Sequence, residues 1–191
     1  MTKGRLEAFT DGVMAIIITI MVLELAPPHD TTVEALFGLW PVFLSYLLSF
    51  AIVGIYWNNH HHLFQAVRVV DGRVLWANLL LLFCLSLMPF GTAWMGEHEF
   101  ASVPVAVYGV IQLAAAMAYF VLVRALIRIQ PGDAPLAAAI GSDRKGRISP
   151  LGYAVAIPIA LIAPYVSFAI YVGVALWWIV PDTRIERTIA R

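Results

Sequence analysis

Two clusters of polar side chains interrupt the apolar stretches of this sequence: Arg5, Glu7, Thr10 and Asp11 near its start, and Trp57, Asn58, Asn59, His60, His61 and His62 further on. An ionised side chain at the centre of a membrane helix costs about 2.5–3.5 kcal/mol, and less near an interface, so Asp11 requires a partner. The second cluster offers an indole N–H, two amides and three imidazoles. The chemistry this pairing suggests is hydrogen bonding, in which the carboxylate accepts from indole or amide, or holds one histidine tautomer, and so clamps two helices together. Metal binding is the other chemistry that three histidines suggest. Consecutive helical residues point about 100° apart, and the sequence lacks the i, i+4 histidine pair that shares one ion, so no metal site and no cofactor are assigned.

A third feature is apolar. At about 100° per residue, Ile16, Ile20 and Leu23 fall on one stripe of a helix with Thr19 at its edge, and Asp11 points about 140° away from it. Such a stripe packs against lipid or a neighbouring helix; alternatively, several symmetric copies of it close a passage by dewetting. The residues alone leave both readings open.

Helices that cross a bilayer must position these groups. Hydrophobic residues make up 61% of the 191 and charged residues only 13%, with a mean hydropathy of +0.84, a balance that excludes a water-soluble globular domain. The uncharged runs approach the roughly 20 residues that span a membrane as helix, and the alternation of a transmembrane barrel is missing. The expectation is an all-α integral membrane protein, one domain over residues 1–191, with six transmembrane helices at about 5–26, 36–60, 73–95, 103–127, 149–163 and 165–180. Pro150 and Pro158 are expected to limit regular helix in the fifth span, and Pro164-Tyr165 to make a tight turn before the sixth; one bent span or a re-entrant pair is the alternative. Residues 128–148, rich in Gly, Ala, Pro and charge, read as a cytoplasmic loop, with "PLAAAI" a candidate interfacial helix. The single cysteine, Cys84, sits in an apolar run and is expected to be a small buried hydrophobe.

Orientation follows from charge. Lys3 and Arg5, Arg68 and Arg73, Arg124 to Arg147, and Arg184 to Arg191 all fall on one side of the six-span scheme, while the acidic loops "PPHDTTVE" and "GEHEF" fall on the other. Both termini are therefore expected in the cytoplasm. Glu7 and Asp11 stand where a signal peptide would be basic, and no small-x-small cleavage pattern follows, so the opening stretch reads as a membrane helix.

Arg5, Phe9, Thr10 and Asp11 form R-x-x-x-F-T-D, which closely resembles the R-x-x-x-F-S-D signature of the transmembrane protein 175 family, the lysosomal and prokaryotic potassium channels. Trp57, Asn59, His60 and His61, as W-x-N-H-H, and "NLLLLFCLSLMPFGTAW" from Asn78 to Trp94 look like the same family. Thr10 stands where the family has serine, which keeps the hydroxyl and adds a methyl to be packed. The resemblance implies a weakly potassium-selective channel, not an enzyme, without a TVGYG filter, a stretch that does not occur here. It implies a homotetramer whose first helix lines a central pore, with Ile16 narrowest, Ile20 and Leu23 above it and Thr19 beside them. It makes Arg5, Phe9, Thr10 and Asp11 an anchor tied to Trp57, Asn59, His60 and His61. The implied partners are potassium ions, lipid and further copies of the chain, with no nucleic acid, in the plasma membrane of a prokaryote.

Two rival functions differ in class. A secondary transporter calls for internal pseudo-symmetry and broken helices, of which only the proline-bearing fifth and sixth spans give a sign. A metal-binding membrane enzyme calls for convergent groups, and His60 to His62 are the one candidate cluster.

Overall fold

The computed structural model describes residues 2–129 and 144–179, without the side chains of residues 144, 145 and 147. These residues form eight helices and no strand: α1 Lys3–Leu23, α2 Val33–Gly38, α3 Trp40–Gln65, α4 Gly72–Ser86, α5 Met88–Glu97, α6 Ser102–Ile129, α7 Arg144–Ala160 and α8 Pro164–Ile179. Four stretches are long and apolar enough to cross a membrane: α1, α3, α4 with α5 as one run of 26 residues, and α6. The apolar helices at the end of the chain, Ile148–Ala160 and Pro164–Ile179, are shorter.

Local chemistry sets the boundaries. Asp71 caps α4 by accepting from the Val74 N–H at 2.9 Å, and Thr32 caps α2 through the Ala35 N–H at 3.1 Å. The break between α4 and α5 falls at Leu87, two residues before Pro89, whose ring excludes the carbonyl four positions back. Glu99 and Phe100 turn the chain from α5 into α6 with φ of 49° and 60°, a left-handed pair that L-residues adopt only under constraint. The constraint is burial: Phe100 lies inside the fold, its ring 4.5 Å from that of Phe168 and 5.5 Å from that of Trp40.

The end of the chain differs from expectation in three respects. Pro150 and Pro158 both lie inside a continuous α7, a position that helices in hydrocarbon tolerate better than helices in water. The turn before α8 is made by residues 161–163, with the Ala163 N–H bonded to the Ile159 carbonyl at 2.7 Å, and Pro164 opens α8. A first-turn position needs no N–H and suits the fixed φ of proline. Residues 128 and 129 complete α6 and 144–148 begin α7, since Arg and Lys are good helix formers that carry a helix past its apolar run. The rest of the expected loop, "PLAAAI" included, lies outside the described residues, as do Arg184, Arg187 and Arg191.

The helices pack in layers. α1 rests on α3, α4 and α5; α6 backs α4 and α5; α7 lies on α6 and α8, and α8 touches α3 and α6. One hydrophobic core runs through them, with Cys84 in it. Only 28% of the most apolar window of α1 is buried, against 56% for the α4–α5 run, which leaves α1 the least covered span. Its covered side is a single stripe of Leu6, Thr10, Met14, Ile17 and Met21. Behind it, two glycines permit close helix contact: a Cβ at Gly96 would stand 2.9 Å from the Val42 Cα, and one at Gly109 would strike the Tyr171 hydroxyl. Gly96→Ala meets backbone that cannot swing away, so it should destabilise the protein by about 1–3 kcal/mol. Gly173→Ala, with open space around it, should be neutral or slightly stabilising; thermal melts of the two variants in detergent check the contrast.

Candidate functional site

The first of two features on α1 is a polar layer near its start. Thr10 is fully buried, and its Oγ1 accepts from Asn78 Nδ2 of α4 at 2.8 Å. The Asn78 carbonyl oxygen in turn lies 3.0 Å from His60 Nε2 of α3. Because that oxygen only accepts, His60 carries its proton on Nε2, and the imidazole ring stacks on Phe64 at 4.3 Å. A directed chain of hydrogen bonds thus runs from α3 through α4 to α1. One residue further, Asp11 accepts from the Trp57 indole N–H at 3.0 Å. Trp57 stacks on His61 at 6.0 Å and 16°, and Gln65 Nε2 donates to His61 Nε2 at 2.8 Å.

The remaining residues of the two motifs are placed differently. Asn59 turns its amide back to the Ile55 carbonyl of its own helix at 2.8 Å, and so does not reach α1. A side-chain amide four residues from a helix carbonyl meets it more readily than a neighbouring helix. Arg5 and Phe9 are both exposed on α1. The three histidines divide: His60 pairs with Asn78 and His61 with Gln65, while His62 Nδ1 is buried without a hydrogen bond. Among the described residues no three His, Cys, Asp or Glu side chains converge as metal ligands do.

Asn78 joins the three helices, yet it stands out in the sequence only as a lone amide at the head of an apolar run. A polar group at such depth is itself a signal that it meets another. A second polar layer also escapes sequence reasoning. Tyr108, Ser49 and Thr92 link α6, α3 and α5 through contacts of 2.9 and 2.7 Å, and Thr92 Oγ1 reaches the Met21 sulfur of α1 at 3.9 Å.

The second feature of α1 is its uncovered face. Ile16 is 57% exposed, Ile20 40% and Leu23 80% in the single chain, all on the side away from the buried stripe. Thr19 is exposed beside them, and its hydroxyl donates to the Ile16 carbonyl at 2.8 Å. With its proton committed to the backbone, the oxygen offers only lone pairs outward. In a membrane such a row of aliphatic side chains faces lipid, a neighbouring chain or a passage.

Residues 5–89, which hold both motifs and Asn78, match the family described as "Endosomal/lysosomal potassium channel TMEM175". A potassium channel of Chryseobacterium sp. (strain P1-3) is 51% identical over 189 residues, covering 99% of this chain and 98% of that protein. The human endosomal/lysosomal proton channel TMEM175 is 35% identical over 116 residues, which are 54% of this chain and 23% of its own. The crystal structure of a lysosomal potassium-selective channel TMEM175 homolog from Chamaesiphon minutus superposes with a TM-score of 0.79 at 34% identity, covering 92% of this chain and 95% of that one. Similar along nearly its whole length to one potassium channel and in fold to another, the chain belongs to the TMEM175 family of potassium channels.

Proposed function

We propose that four copies of the chain assemble in the plasma membrane of a prokaryote around their α1 helices and conduct potassium through the space between them. The observation that carries this is the bare stripe of Ile16, Ile20 and Leu23 on the span with the least cover. A fourfold arrangement that turns these residues inward removes them from lipid and forms successive aliphatic rings, with Ile16 the narrowest. The six-span scheme, with α7 and α8 as the last two crossings and both termini in the cytoplasm, accords with the one-sided distribution of Lys and Arg. Potassium is preferred to protons as the carried ion because the bacterial relative bearing that name matches 99% of this chain, whereas the human protein named a proton channel matches 54%.

Aliphatic rings cannot replace the oxygens of a hydration shell, so an ion crosses them partly hydrated or meets a large desolvation cost. Potassium holds its water less tightly than sodium, which yields modest selectivity without a cage of carbonyls. The Thr19 oxygens, their protons turned to the backbone, supply ligands one turn from Ile16. Glu24, exposed just past the end of α1, concentrates cations at the mouth. The polar layer at Thr10 and Asp11 holds the rings in register and does not itself meet the ion.

Purified protein in planar bilayers, with potassium on one side and sodium on the other, should show a reversal potential displaced toward that of potassium. Ile16→Asn should raise the resting conductance and bring that potential nearer zero; unchanged currents would remove Ile16 from the conduction path. For the anchor, a double-mutant cycle of Asp11→Ala and Trp57→Phe should give a coupling of about 0.5–2 kcal/mol in the stability of the assembled protein. Tetramer recovery in detergent should fall for either single variant, and additive effects with an intact tetramer would contradict the anchor.

A further inference from the structure

The uncovered face of α6 presents Met117, Val121, Arg124 and Arg128, all exposed and each about one helical turn from the next. The Arg124 guanidinium carbon lies 4.8 Å above the ring of Phe120, one turn back, a cation–π contact that limits the wandering of the side chain. α4 packs against α6 and leaves a parallel stripe uncovered, made by Arg73, Trp76, Leu80 and Phe83, with Trp76 74% exposed. The α4–α5 run and α6 lead away in opposite chain directions from the tight turn between Glu97 and Ser102. At about 1.5 Å per residue, Arg73 stands about 36 Å from that turn and Arg124 and Arg128 about 33 and 39 Å, so all three arginines share one level. On α6 itself no acid offsets them, since residues 100–129 contain no Asp or Glu; the one carboxylate close to Arg73 in the chain is Asp71, which caps α4.

We propose that this end of the α4–α6 pair binds an anionic phospholipid. The planar, always-charged guanidinium of Arg124, with Arg128 one turn on, holds the phosphodiester oxygens by paired N–H donors. Trp76 sits at the headgroup boundary, as indoles prefer, and the acyl chains follow Met117, Val121, Leu80 and Phe83. The continuity of the apolar stripes with the arginines favours a lipid over a free phosphate, which would use the guanidinium groups and leave the stripes bare. The excess of positive charge favours an anionic headgroup over a zwitterionic one.

The test is native mass spectrometry of the full-length protein after exchange into an equimolar mixture of phosphatidylglycerol and phosphatidylcholine. The protein should retain phosphatidylglycerol in clear excess, and the pair Arg124→Gln with Arg128→Gln should reduce that retention by roughly thirtyfold, the loss expected of two arginines at an anionic surface. Arg124→Lys with Arg128→Lys, which keeps the charge but loses the paired donors, should fall between the unaltered protein and the Gln pair. Equal retention of the two lipids, an undiminished excess in the Gln pair, or displacement of the lipid by millimolar glycerol phosphate would overturn the proposal. Should the Gln pair fail to fold, the comparison of the two lipids on the unaltered protein decides alone.

Discussion

The rotation of α1 about its own axis is the constraint on which the rest depends, and hydrogen bonds set it. In a bilayer, hydrocarbon is as apolar as leucine and gives an apolar helix no reason to turn one face inward. Thr10 and Asp11 supply the reason. They are neighbours in sequence and point about 100° apart; one is held by Asn78 of α4 and the other by Trp57 of α3. A single contact would leave a pivot, whereas two contacts in different directions leave one rotation. With that rotation taken, Leu6, Met14, Ile17 and Met21 go into the core, and Ile16, Ile20 and Leu23 are left outside it.

Holding one end of a helix is useful only if its supports are stiff. Asn78 is braced by His60 on its far side, so the Thr10 contact is backed by a third helix. At the other end of α1, the Tyr108–Ser49–Thr92 layer joins α3, α5 and α6 behind Met21, a flexible side chain that fills the irregular space against it. The outer helices are tied in turn: Tyr171 of α8 donates to the Val105 carbonyl of α6, Ser167 to the Ala156 carbonyl of α7, and the Trp178 indole to Ser149. Polar contacts cluster where helices meet and are absent from the uncovered stripe of α1, apart from Thr19 bonded to its own backbone.

Much of this was legible in the sequence where the signal is a length or a spacing. Apolar runs mark α1, α3, the α4–α5 run and α6, and the 100° helical step separates Asp11 from Ile16, Ile20 and Leu23. The need of Asp11 for a partner is legible too, but the choice of Trp57 over Asn59 depends on the height of α3 beside α1, which no local pattern encodes. Asn78 is hidden because its role appears only when three helices meet, and an amide among leucines has no partner in its own run. The prolines of α7 mislead for a related reason: proline breaks a helix that water can attack, whereas hydrocarbon offers the backbone no competing partner. The left-handed turn at Glu99 and Phe100 has no glycine to announce it, since the burial of Phe100 compels it.

The central claim is that the face of α1 left bare by the single chain is the face that meets the ion. The most direct measurement is block of potassium current by a charged thiol reagent, applied in turn to single cysteines introduced along α1 in a Cys84→Ala background. Cysteines at positions 16, 20 and 23 should be modified and the current through them reduced, while cysteines at 14, 17 and 21, on the buried stripe, should be insensitive. Equal reactivity on the two faces, or block from 17 and 21 with none from 16 and 20, would contradict the account.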